Sequence, residues 1–218
     1  MTELALRLAV YVVTAHTAVP VPRGHAEVAA AALAGGATAV QLRAPELTDD
    51  DLLPVAVDLA RRCRATGALF IINDRVDIAV AAAADGVHLG QDDDIAGARG
   101  LLRPGQVLGI SVRGVADVPA AVAAGADYLG VTVWPTTTKP DAVPSGLDAL
   151  RAVAQASPVP VVGIGGVTTA NAAEVIAAGA AGVAVISAVA QAADPVEATR
   201  TLACMVTRAR SRTDQEDR

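Results

Sequence analysis

Aromatic side chains are nearly missing from this chain: its 218 residues include one Phe, one Trp and two Tyr. Ala, Val, Leu and Ile must therefore fill the core, which favours many helices packed closely on small side chains. Lysine is scarcer still. Lys139 is the only one, and sixteen arginines carry the remaining positive charge. The net charge is −6 and no basic run occurs, which argues against nucleic acid as a partner, because phosphate-backbone binding needs clustered Lys or Arg. The two cysteines, Cys63 and Cys204, fall on predicted helices and have no His or Cys at metal-ligand spacing. They read as unpaired core thiols of a cytoplasmic protein. No apolar run reaches the roughly 18–20 uninterrupted residues of a membrane span. Ala172–Ala193 comes closest, but Glu174, Gly179, Gly182 and Ser187 divide it into a helix and a strand. Met1-Thr2-Glu3 opens with an acid and lacks a basic n-region, so no secretory signal is expected.

What is present is a weak repeat. Ala34-Gly35-Gly36-Ala37 precedes Ala39–Leu42, Ala124-Gly125-Ala126 precedes Tyr128–Val131, and Ala178-Gly179-Ala180 precedes Gly182–Ile186. Ala84-Asp85-Gly86 before Val87-His88-Leu89 is a fourth copy. Each pairs an Ala-rich helix, ended at or near glycine, with a short apolar strand; glycine accepts the left-handed conformation of a helix C-cap. Eight short apolar runs appear, near 8–13, 38–42, 69–72, 86–89, 107–111, 127–133, 159–163 and 182–186. Helical patterns occupy most intervals, among them Glu27–Leu33, Asp49–Arg64, Val115–Ala124, Leu147–Ala156 and Thr169–Ala178. Continuous rather than alternating runs suit strands buried on both faces. Eight β–α units predict an α/β fold, a single (β/α)8 TIM barrel, with an open doubly wound sheet as the alternative. No linker divides the chain. Residues 1–208 are expected to form the barrel and 209–218 a polar, frayed tail.

Chemistry in such a barrel belongs at the C-terminal strand ends, and the unusual polar residues recur there. The ends read Gln41-Leu42-Arg43, Asn73-Asp74-Arg75, His88-Leu89-Gly90-Gln91 with Asp92–Asp94, Ser111-Val112-Arg113, Gly163–Gly166 and Ile186-Ser187. Strand six leads into Thr136-Thr137-Thr138-Lys139-Pro140, where hydroxyls beside an ammonium outline a phosphate or pyrophosphate site. Gly163–Gly166, with a helix expected from about Thr168, suggests a second phosphate grip through backbone N–H groups, completed by Ser187. Asp74 and one of Asp92–Asp94 offer hard oxygen ligands for Mg²⁺, while the others cap a helix. His25 is expected at the surface, His88 packed within its strand, and His16 on the rim. No activated Ser–His or Cys–His arrangement is legible along the chain.

Together these segments resemble the thiamine phosphate synthase family, from Tyr11 to about Ala190. The resemblance implies coupling of hydroxymethylpyrimidine pyrophosphate with thiazole phosphate and release of pyrophosphate. It also implies residue roles. Asp74 and Asp93 would hold Mg²⁺. Arg43, Asn73, Ser111 and Lys139 would bind pyrophosphate, with Lys139, Arg43 and Ser111 as the catalytic group. Gln41 would contact the pyrimidine, Thr136 and Thr138 the thiazole phosphate, and Gly166, Ile186 and Ser187 would close around its phosphate. The chain departs from the family pattern at three places. Pro45 replaces the usual lysine two residues after Arg43, Ala15-His16 replaces an aspartate after the first-strand Thr, and Thr132-Val133 replaces Gly-Pro. These departures leave a tautomerase-like isomerase and a non-catalytic thiazole-phosphate binder as alternatives; related thiazole tautomerases carry a histidine near Thr132, and threonine is a poor general base for carbon-proton transfer. Retention of Asp74, Asp93 and Lys139 favours the synthase. Small molecules are the expected partners, with neither nucleic acid nor membrane; a homo-oligomer is left open.

Overall fold

The computed structural model describes residues 2–15, 23–91, 93–136 and 143–216, with side chains as far as 212. Eight parallel strands close into one barrel, each bonded to its sequence neighbours and the last to the first. They are β1 (Val10–Val13), β2 (Ala39–Leu42), β3 (Leu69–Asn73), β4 (Gly86–Leu89), β5 (Val107–Val112), β6 (Tyr128–Thr132), β7 (Val161–Ile164) and β8 (Gly182–Val185). All eight fall on the apolar runs. Helices α1 (Glu3–Arg7), α2 (His25–Ala34), α3 (Asp49–Thr66), α4 (Val76–Ala81), α5 (Ile95–Leu101), α6 (Val118–Ala123), α7 (Gly146–Ala156), α8 (Ala172–Ala177), α9 (Ser187–Ala190) and α10 (Pro195–Glu216) fill the intervals and ends.

Strand periodicity divides the buried residues into two layers. Val12, Val40, Phe70, Ile72, Val87, Leu108, Ile110 and Leu129 face outward and pack under the helices. The opposite face of the same strands sends Tyr11, Val13, Ala39, Leu69, Ile71, Tyr128, Val162 and Ala184 into the bore. A fully buried aliphatic side chain stabilises by about 1.5–3 kcal/mol. The outer layer, much the larger, therefore carries most of the hydrophobic stability, and the bore can carry polar groups. Leu8, just past α1, is buried in the bore cluster with Leu4 packed against it, and these close the end opposite the site.

The repeat has a structural cause. Gly36, Gly125 and Gly179 have φ of 93°, 91° and 95°, the left-handed turn from helix into strand. The fourth copy differs: Ala83 takes that turn with φ 51°, and Gly86 belongs to β4. An L-residue there costs about 1–2 kcal/mol, and the closed sheet on either side imposes it.

At the C-terminus α10 crosses residue 208 without a break. It packs against α8 and α2, and Arg210 still donates to the carbonyls of Ala5 and Ala181. The polar composition past 208 is that of a helix facing water, so the expected frayed tail starts inside an ordered element. Cys204 on this helix is exposed, whereas Cys63 on α3 is buried; only one of the two expected core thiols is in a core.

Candidate active site

The strand ends open on one cleft of about 870 Å³, counted to its open mouth. Gln41 and Arg43 reach it from β2, Asn73 from β3, and Ser111 from β5. Thr136 follows β6, Gly166 follows β7, and Ile186 and Ser187 follow β8 on its other side. Eight of the residues picked from the sequence thus line one cavity. Thr138 and Lys139 lie outside the described residues, as do His16 and Asp92.

The floor of the cleft is a polar file, buried at Gln41, Tyr11 and Tyr128 and half-buried at His88 and Ser111. Gln41 Nε2 donates to Tyr11 Oη at 2.6 Å, Tyr11 Oη meets Tyr128 Oη at 3.0 Å, Tyr128 Oη meets His88 Nδ1 at 3.0 Å, and His88 Nε2 meets Ser111 Oγ at 3.0 Å. Five strands contribute one side chain each. Burial pushes both phenols well above the ordinary tyrosine range, so both stay protonated. Tyr128 is raised further by Tyr11 and the Asp127 charge, while the bonds to Tyr128 and Gln41 oppose the rise at Tyr11. Glycines make the room. A side chain on Gly109 would collide with the Tyr128 ring, and a Cβ on Gly130 would lie 3.1 Å from the His88 ring.

His88 is packed and hydrogen-bonded as expected, yet it also lines the cleft. The barrel brings it to Ser111, forming the Ser–His contact that spacing along the chain conceals. His25 corrects another expectation. It is buried at the start of α2, with Nδ1 2.9 Å from Thr14 Oγ1 and Nε2 2.6 Å from Glu46 Oε1. Thr14 Oγ1 also accepts from the Arg43 backbone N–H at 3.3 Å. The loop after β2 is thus latched from one side by His25. From the other, Arg75 donates to Leu47 O and pairs with Asp49 at 3.0 Å. Pro45 sits exposed on this loop.

At the rim, Gly165 and Gly166 take φ of 83° and 64°, and a Cβ on either would strike the Trp134–Pro135 segment. The helix after this turn begins at Ala172, not near Thr168. Asn171 organises the intervening residues, accepting from Thr168 N–H and donating to Gly166 O. Asp94 caps α5, accepting from Gly97 N–H at 3.0 Å. Asp93 is exposed and Oδ2 accepts from Gly90 N–H at 2.7 Å. Asp74, just past β3, is held with φ 61° by its N–H bond to His88 O. A non-glycine residue in that region is a known companion of functional sites. Neither Asp74 nor Asp93 is itself among the residues lining the cleft, and among the described residues no three His, Cys, Asp or Glu gather as a metal-binding group. Arg113 lies beside Gln91, whose amide, turned with its oxygen towards the guanidinium, accepts from Nη1 at 2.6 Å.

A parallel barrel with a cleft at its strand ends, a glycine turn after β7 and a serine after β8 has the layout of a barrel enzyme, a fold that often holds phosphate after strands seven and eight. The comparisons narrow the class. A family model described as thiamine monophosphate synthase matches residues 10–189. A thiamine-phosphate synthase of Moorella thermoacetica is 49% identical over 189 residues, covering 85% of this chain and 90% of that one. One from Chloroflexus aurantiacus is 47% identical over 187 residues, covering 84% and 86%. The solved structure of a thiamine phosphate pyrophosphorylase from Pyrococcus furiosus superposes with a TM-score of 0.87 at 38% identity, covering 95% and 99%. The chain belongs to the thiamine monophosphate synthase family, and its activity is that family's: a transferase step that makes thiamine phosphate.

Proposed function

We propose that the cleft couples hydroxymethylpyrimidine pyrophosphate with thiazole phosphate, the pyrophosphate lying towards β2, β3 and β5 and the thiazole phosphate towards β7 and β8. The observation that carries this reading is the single cavity lined by Gln41, Arg43, Asn73 and Ser111 on one side and Gly166 and Ser187 on the other. Pyrophosphate leaves as the pyrimidine methylene becomes cationic, and the thiazole nitrogen then attacks that carbon. The developing charge is on the leaving group. Arg43 and Lys139 neutralise it, and Asn73 and Ser111 donate to its oxygens. Lys139 and Thr138 enter from the sequence alone. The exposed backbone at Gly166 and the hydroxyl of Ser187 hold the thiazole phosphate, and Thr136 approaches it from the loop after β6.

Asp74 and Asp93 suit Mg²⁺. This ion takes one or two carboxylates and fills its remaining positions with water and substrate oxygens, so a cluster of three protein ligands is not required. Bound there, it would supply the charge that neutralises pyrophosphate. Two unpaired thiols fit a reducing compartment, and we place the enzyme in the cytoplasm; among the described residues no helix is long and apolar enough to cross a membrane.

The test is an assay of the purified protein with both substrates and Mg²⁺, following thiamine phosphate. Metal-dependent product is expected. Thiazole phosphate that binds in calorimetry without product under any metal condition would replace this reading with a tautomerase or a binder.

A further inference from the structure

The floor of the cleft has a direction. Gln41 donates an N–H to Tyr11 Oη, so the single Tyr11 proton goes to Tyr128. Tyr128 then gives its own proton to His88 Nδ1. Accepting at Nδ1 leaves the imidazole neutral with its proton on Nε2, and that N–H donates to Ser111 Oγ. The Ser111 proton is left to point into the cleft. Every hydroxyl here donates once, so one end sets all the others. With the Gln41 amide reversed, each bond would reverse, Nε2 would accept from Ser111, and the pair would have the polarity of an activated nucleophile.

We propose that Tyr11, Tyr128 and His88 are positioning residues that relay the orientation of the Gln41 amide to Ser111 and hold its hydroxyl as a hydrogen-bond donor towards substrate. The functional half rests on the assignment of Ser111 to pyrophosphate; the direction of the file does not. A donor is what an anionic leaving group needs, and a serine that donates to His88 would instead turn lone pairs towards that anion. Both phenols are almost completely buried, Tyr11 at 2% and Tyr128 at 0% exposure, so water does not compete for the hydrogen bond between them. The same arrangement leaves the Gln41 amide oxygen as the acceptor for a donor on the pyrimidine, so the two ends present opposite polarity to one substrate.

The experiment reads the His88 tautomer by ¹⁵N ring-nitrogen NMR at mildly alkaline pH in the full chain, assigned by subtraction of His88→Asn. The expected ring is neutral and protonated on Nε2. A ring protonated on Nδ1, or on both nitrogens, overturns the direction. Gln41→Glu places an acceptor alone at the start of the file and is expected to switch His88 to the Nδ1–H form; an unmoved tautomer there overturns the relay. The functional half is read in a double-mutant cycle on kcat/KM. Tyr128→Phe is expected to cost about tenfold in wild type and less than about twofold in a Ser111→Ala background. Equal losses in both backgrounds make Tyr128 merely structural and overturn the positioning role. If Ser111→Ala alone leaves turnover unchanged, the pyrophosphate assignment fails and takes the functional half with it, while the tautomer still decides the relay.

Discussion

The floor and the rim of this cleft solve different problems with different residues. On the floor, side chains from β1, β2, β4, β5 and β6 are buried or half-buried and bonded one to the next. At the rim, charged groups stand on loops near water: Asp93 on Gly90, Arg113 on Gln91, and Arg43 beside a doubly latched loop. Ionising a group on the floor would cost several kcal/mol in desolvation, whereas a rim charge keeps its water until substrate arrives. Orientation is therefore set below, where a strand fixes each side chain, and charge is supplied above. A pyrophosphate, which carries the charge, is expected to bridge the two levels. The comparison predicts that rim variants lose turnover without stability, and that floor variants lose both.

Lys139→Ala carries the largest expected effect. It is expected to lower kcat/KM by about 10²–10³-fold, the cost of removing one charge-stabilising donor, with the thermal melt unchanged; normal turnover would remove this residue from the site. Asp93→Asn keeps an acceptor for Gly90 N–H while deleting the charge. The Mg²⁺ needed for half-maximal rate should rise at least about tenfold, and an unaltered titration would point to Asp92. Tyr11→Phe tests the floor. It strands Gln41 and Tyr128 and should cost about 1–3 kcal/mol in urea denaturation along with a loss of turnover; a loss of turnover alone would erase the contrast between the levels. Pro45→Lys adds a cation on an exposed loop position. A gain of about two- to fivefold at low pyrimidine pyrophosphate is expected if the missing charge limits the rate, and no change would show that Arg43 and Lys139 suffice. The smallest effect separates layers outside the cleft. Burial, with the Asp85 charge adding to it, pushes the Cys63 thiol up to about 12. Only Cys204 should react with a disulfide reagent in the native state; fast reaction of both would mean that α3 opens readily.

The rim was more legible in the sequence than the floor. Arg43, Asn73, Asp74 and Ser187 announce themselves as polar residues ending apolar runs. Tyr11, His88 and Tyr128 sit inside runs that read as core, and nothing local shows that they face one another. His25 was misplaced for a related reason: a polar residue at a helix start ordinarily faces water, and its burial depends on Thr14 and Glu46 arriving from β1 and the loop after β2. The signals that could have found the floor are Gly109 and Gly130. Glycine within a strand leaves space for a neighbour, and here the neighbours are the two rings.

By itself the sequence determined the number of strands, their parallel order and most of the polar residues gathered at their C-terminal ends. Each of these depends on periodicity and punctuation within about ten neighbouring residues. Only the closed barrel decided which side chains meet across the bore, because the bonds from Gln41 to Ser111 join residues as far as 117 positions apart. Pairing of neighbouring strands decided that the serine of β5 stands against the histidine of β4. Strand register sets that contact, and a one-residue slip of either strand would send its side chain to the outer face.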